Sequence, residues 1–183
     1  FQGRPVECWE GGADGPDKNN ASRTGYYLLK YVDPELKLLQ GQSAIHSWII
    51  IRLGEIYLNY AEAMNEAYGP DAKGIYGKSA REAVNEVRGR VGMPDVVADS
   101  KEEMREKIRH ERRVELAFED HRFWDVRRWM TAPDDLNAPL KGVKVTRLSY
   151  NSFEYQSVEV ESRSFKRSMY FYPIPQNELN ITG

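Results

Sequence analysis

Residues 100–130, SKEEMREKIRHERRVELAFEDHRFWDVRRWM, decide how this chain folds. Ser100 followed three positions later by Glu103 is the signature of a helix start: the hydroxyl takes an orphan amide of the first turn and the carboxylate reaches back. Neither Gly nor Pro appears before Pro133, so a long central helix is predicted. It is expected to bend or break near Glu119-Asp120-His121, giving two pieces, 102–118 and 122–130. The four-apart row Met104, Ile108, Arg112, Leu116 sets an arginine among apolar side chains, so the helix is not cleanly two-faced. Glu103 with Lys107, Glu119 with Arg122 and Asp125 with Arg128 stand at helical-neighbour spacing. Phe118, Phe123, Trp124 and Trp129 add large apolar area among these charges. We read Arg112, Glu115, Glu119, Arg122, Asp125 and Arg128 as a structural ion network whose heads fix packing. The rival reading is a charged active site, since both cluster charge.

Upstream, Leu53, Tyr57, Tyr60, Ala61 and Met64 recur at helical spacing, and Gly69-Pro70 stops the pattern. This predicts a helix over 52–68. Ser79 with Glu82 opens a second helix that carries Ala80, Val84, Val87 and Val91 on one line. Gly92 and Pro94 close it. Two adjacent amphipathic helices with a short connection are expected to pack as an antiparallel pair.

The run IRHERRVELAFEDHRFWDVRRW (108–129) resembles the C-terminal signature of the SusD/RagB family. RLGEIYLNYAEAMNEAYG, AREAVNEVRGRVGMP and YFYPIPQNEL support the resemblance in the family's order, from about residue 25 onward. The resemblance implies a tetratricopeptide-like helix pair, although no second copy of the pair is visible here. It implies an outer-membrane surface lipoprotein of Bacteroidetes-type bacteria that binds glycans or other nutrients without cleaving them. The implied partners are an oligosaccharide or other nutrient and a TonB-dependent transporter, with no cofactor. Family members are longer and carry a signal peptide and a lipid-bearing cysteine. The 183 residues are therefore expected to be a single domain forming the C-terminal portion of a longer protein. Cys8 lacks a preceding apolar segment and is not expected to bear lipid.

Composition is consistent with this. Hydrophobic residues at 40% and charged residues at 30% describe a globular chain, and the net charge of −2 gives no general attraction to nucleic acid. The basic groups Arg109/Arg112/Arg113 and Arg127/Arg128 are interleaved with carboxylates. A single cysteine excludes an internal disulfide. No apolar run approaches the ~20 residues of a membrane helix.

At the N-terminus, Phe1-Gln2-Gly3 reads as the remnant of a cleavable tag. Residues up to 23, containing GGADGPDKNNAS, read as an exposed loop. Asp14, Asp17, Asn19 and Asn20 do not match the spacing of a calcium loop. Residues 24–32, TGYYLLKYV, suit a short strand, and the stretch to residue 51 is a connection. After the helical core, 52–130, residues 131–142 are expected to be loop. The tail alternates apolar and polar residues over 143–148, 154–161 and 165–172, which predicts a small irregular antiparallel sheet. Pro173 and Pro175 stop it and PQNEL begins a short helix. The fold class is thus mainly α with a small β region near the C-terminus.

Catalytic signatures fail on spacing. His110-Glu111 would need a second histidine where Val114 stands. His46, His110 and His121 offer no paired Glu-x-x-His. No catalytic residue and no metal ligand is assigned. Sugar binding needs aromatic faces, and those near loops are Trp9, Tyr26, Tyr27 and Trp48, of which Trp9 has the neighbours most typical of exposure. Two rival functions remain open: a helical-repeat-like adaptor that only contacts proteins, and a carboxylate-dependent hydrolase.

Overall fold

The computed structural model describes residues 3–19, 21–37 and 40–182. Phe1, Gln2 and Asn20, named above, lie outside the described residues. Among them the chain is mainly helical, with a two-stranded antiparallel sheet toward the C-terminus. It divides into two compact units. One is Ser47–Asp125; the other is assembled from the stretches before and after it.

The helical unit holds α1 (Leu53–Tyr68), α2 (Ala80–Arg90) and α3 (Lys101–Glu115), and the start of α4 (His121–Arg128). α1 ends at Gly69, whose φ of 86° lets its amide return to the Asn65 carbonyl at 3.0 Å. α2 opens with the expected capping box: Ser79 Oγ accepts from Glu82 N at 3.2 Å, and Glu82 Oε2 accepts from Ser79 N at 2.9 Å. Such a cap is worth about 1 kcal/mol. α3 differs from expectation. Ser100 Oγ accepts from Glu103 N at 3.1 Å, but the Glu103 carboxylate turns to Asp99 N at 2.9 Å, one residue earlier.

These three helices bury Ala61, Met64, Ala80, Ala83, Val84, Met104 and Ile108 in one cluster, and Leu58, Val87 and Leu116 in a second. Two residues of the expected apolar stripes are not core. The buried line of α1 runs through Leu58, Ala61 and Asn65, with Gly54 on the same row, so Leu53 is rotated outward and 66% exposed. Val91 is the C-cap of α2 and lies outside its last packed turn. The central helix breaks between Glu115 and His121, where Phe118 and Asp120 both have a φ of 62°. Non-glycine residues in this left-handed region cost about 1–2 kcal/mol each. The helical pieces are therefore shorter than expected.

The other unit carries α5 (Ala132–Leu136), β1 (Leu140–Ser149), β2 (Ser152–Glu161), a 3-10 turn at Arg167–Tyr170 and α6 (Gln176–Thr182). β1 and β2 form a hairpin whose last pair is Ser149 with Ser152. Three expectations are corrected. Residues expected to be loop form α5, because Pro133 falls in its first turn, where no amide donor is required. The stretch 165–172 is not a strand. The Asn137 side chain accepts the Phe165 amide at 2.5 Å, and the following turn lays Tyr170 edge-on against Phe165, centroids 5.0 Å apart. Residues 24–32 are not a strand either, because among the described residues no neighbouring segment pairs with their backbone beyond one contact, Val143 N to Thr24 O at 2.8 Å. The core of this unit is Val126, Ala132 and Phe165, with Leu136 and Tyr170 packed against it.

Arg112 is only 4% exposed. Its Nε and Nη2 meet the Asp125 carboxylate at 3.0 and 3.1 Å, and its Nη1 donates to Asn59 Oδ1 at 2.5 Å. Arg112→Leu takes the opposite charge away from the buried Asp125 carboxylate and is expected to destabilise the chain by about 3–5 kcal/mol in urea unfolding. Arg112→Leu combined with Asp125→Leu should cost less than the sum of the single changes.

Candidate ligand-binding surface

In the unit built from the flanking stretches, the N-terminal loop is held as a series of turns by its own polar groups. Asp14 Oδ2 accepts from Glu7 N at 3.0 Å, Glu7 Oε2 from Ala13 N at 3.0 Å, and Asp17 Oδ1 from Gly11 N at 3.3 Å. Arg4 clasps the Asp14 carboxylate with two bonds, 2.6 and 2.8 Å. Tyr27 donates its hydroxyl to the Asp14 carbonyl at 2.6 Å and accepts from Ser22 N at 3.2 Å. Asp14 and Asp17, two of the oxygen-bearing residues that resemble metal ligands in the sequence, are thus engaged in shaping the loop. Among the described residues no three His, Cys, Asp or Glu side chains are placed to hold a metal ion.

This loop docks on the hairpin by close backbone approach. Gly25 has a φ of 74°, and a Cβ there would collide with the Val143 carbonyl. A Cβ on Gly142 would stand 2.7 Å from the Thr24 carbonyl. Both positions require glycine. Trp9 closes the far side: its ring lies 5.2 Å from Phe153, and the Arg147 guanidinium sits 5.1 Å from its centroid. Trp9 is therefore half-buried and engaged by the hairpin, where its neighbours predicted exposure.

Between loop and hairpin lies a shallow cavity of about 280 Å³. Val143, Val145 and Val158 supply its apolar lining, and Cys8, Glu10, Arg23, Tyr27 and Lys144 its polar one. The charged groups are loosely paired. Lys144 Nζ is 3.8 Å from Glu10 and Arg23 Nη1 is 3.8 Å from Glu161, beyond hydrogen-bond distance. This leaves donors and acceptors around a small apolar patch, which is chemistry suited to a polyhydroxylated ligand.

Of the aromatic residues singled out in the sequence, Tyr27 lines the cavity, and Trp9 and Tyr26 lie in the same unit. Tyr26 is well exposed. Trp48 belongs to the helical unit and is also exposed. Among the ion-network residues, Asp125 holds Arg112, whereas Glu115 and Glu119 converge on Arg52. Arg52 Nη1 is 2.6 Å from Glu115 Oε1, and its Nε is 2.7 Å from Glu119 Oε2. Hydrogen bonding to Glu119 raises the Arg52 pKa above its ordinary value. Arg52 was missed by sequence reasoning; the one signal for it is a lone cation closing the apolar run Trp48-Ile-Ile-Ile. Arg90 joins Glu115 at 3.0 Å. Gly54 makes room for this fold of the side chain, since a Cβ there would stand 2.5 Å from Arg52 Nη1. Arg128 stacks on Trp129 at 5.1 Å, and Arg122 is half-buried at the start of α4.

The family model described as the SusD family matches residues 3–182. The structure is similar to that of a SusD-like protein from Bacteroides fragilis, at 38% identity and a TM-score of 0.76. That match covers 92% of this chain but 31% of the relative, so the chain spans about a third of its length. A SusD-like carbohydrate binding protein from Bacteroides vulgatus is more distantly similar, at 19% identity and a TM-score of 0.45, over 72% of this chain and 28% of that one. No curated protein matches the chain.

The Arg4 guanidinium and the Glu7 amide hold the Asp14 carboxyl at about 2, below its ordinary 3.8. Because the folded value is depressed, the clasp stabilises the fold above the unfolded value and is lost as pH falls through about 2. Asp14→Asn should therefore lower the melting temperature at pH 7, with the difference from wild type shrinking between pH 4 and pH 2.

Proposed function

The chain belongs to the SusD family, and from that premise we propose that it is part of a non-catalytic, glycan- or nutrient-binding component of an outer-membrane uptake system. The longer protein is a surface lipoprotein that hands its ligand to a TonB-dependent transporter. The observation that carries this reading is the family match over residues 3–182. The loop–hairpin cavity supports it chemically. Tyr27 offers an aromatic edge, Arg23 and Lys144 offer cationic donors, and Glu10 offers an acceptor, around a floor of valines. Such a set suits ring hydroxyls at the polar groups and the apolar face of a sugar at the valines. Tyr26 and Trp48 are exposed aromatic residues of the same chemistry, each within its own unit.

A role in protein contact is supported separately by Leu53 and Ile56, large apolar residues exposed on the first turn of α1. It is compatible with binding if that contact is to the transporter.

The test is calorimetry and affinity electrophoresis of the chain against a broad panel of polysaccharides, with reducing-end release assayed in parallel. Binding without release is expected. Arg23→Ala with Lys144→Ala, both on exposed side chains, should weaken it about tenfold, or 1.4 kcal/mol. Absence of binding across the panel, together with no co-purification of a transporter with the longer protein, would refute the reading.

A further inference from the structure

The sequence points to Trp9 as a surface for sugar stacking, but its ring is taken up by the protein itself. It lies 5.2 Å from the Phe153 ring on β2 and 5.1 Å from the Arg147 guanidinium on β1. Arg147 and Phe153 are register partners across the hairpin, so the indole seats on one cross-strand pair. Neither residue of that seat lines the loop–hairpin cavity.

The chain on either side of Trp9 does line it. Cys8 and Glu10 form part of the loop wall, and Glu10 faces Lys144 of β1 at 3.8 Å. The Trp9 carbonyl is also the pivot of the turns that follow: Gly12 donates to it at 2.9 Å, and a Cβ on Gly15 would collide with it. On the hairpin, Val143, Val145 and Arg147 stand at alternate positions of β1 and so share one face. The valine floor of the cavity and the seat of the indole are therefore one continuous surface, on which the loop is laid down.

We infer that Trp9 is a positioning residue for the cavity: seated on the Arg147–Phe153 pair, it sets the loop wall of Cys8 and Glu10 at the distance from β1 that gives the cavity its width, without itself touching the ligand. Thr24 and Gly25 anchor the later end of the loop through the main chain of β1. Trp9 anchors the earlier end through its ring. A ring contact with a cation on the same indole favours the docked loop over an open one by about tenfold. The inference rests on the carbohydrate reading for the nature of the ligand, and on the loop geometry alone for the placement of the wall.

Cys8 is the single cysteine of the chain, so its rate of reaction with a soluble thiol reagent reads how often this wall leaves the hairpin. Where reclosing outpaces labelling, that rate follows the open population. Trp9→Ala is expected to raise it about tenfold, and Phe153→Ala to raise it similarly. The double variant should label little faster than either single one, because both changes remove the same contact. Trp9→Phe keeps a ring on the seat and should stay near wild type. A polysaccharide that binds the wild-type chain should bind Trp9→Ala about tenfold more weakly, and Phe153→Ala as weakly, although that ring lies outside the cavity. Three results would overturn the inference: Trp9→Ala labelling at the wild-type rate, binding lost in Trp9→Ala but kept in Phe153→Ala, or a fast-labelling Trp9→Ala that binds as tightly as wild type. If no polysaccharide binds the wild-type chain, the carbohydrate reading falls and the labelling arm still decides the placement of the wall. Helix content by circular dichroism separates loop opening from unfolding. Should Trp9→Ala unfold, Arg147→Met removes only the cation and is read in its place, with a smaller rise expected.

Discussion

A guanidinium taken out of water must recover its hydration from the protein, and Arg112 does so with three donors on two partners. Its carboxylate partner, Asp125, is buried as well, so neither charge can be removed alone without depriving the other of its opposite charge. The consequence is geometric. Asp125 follows the break after α3, so the pair fixes where α4 begins relative to α3. Asn59 brings α1 into the same bond set. Arg52 repeats the arrangement at the N-terminal end of α1, where Glu115, Glu119 and the Glu115 carbonyl surround it. Packing of Met104, Ile108 and Leu116 supplies the energy of the helical unit, while the arginines select one register among those that apolar side chains would tolerate.

The turn between α3 and α4 shows how these interactions offset each other. Phe118 and Asp120 occupy the left-handed region on either side of Glu119, whose carboxylate is fully buried against Arg52. Glycine would relieve the backbone at either position. The chain instead retains side chains there and balances the strain with the charge-assisted bonds of the residue between them.

Local signals were legible in the sequence and long-range ones were not. The caps at Ser79 and Ser100 and the stop at Gly69 depend on residues three or four positions apart, and each stands where the sequence placed it. The hairpin was visible as alternation. Arg52 was not, because its partners lie 63 and 67 residues away. Residues 24–32 read as a strand because composition reports what a segment can pair with, not whether a partner is present. The candidate site was partly legible. Tyr27 was named, but the loop around Trp9 was misjudged, because Gly and Asp there make internal turns that press the indole onto the hairpin. Arg23 and Lys144 carried no local signal, since only docking of the loop on β1 brings them to one cavity.

The helical unit is one uninterrupted stretch, whereas its companion is assembled from segments on either side of Ser47–Asp125. In folding terms the first is a guest and the second a host. The guest can form from near-neighbour contacts as soon as it leaves the ribosome. The host cannot close until everything between its halves has been made, and it carries the loop-closure entropy of that intervening length. A compact guest shortens the effective gap the host must span, so the arginine bonds that order the helices also ease the closure of the unit around them.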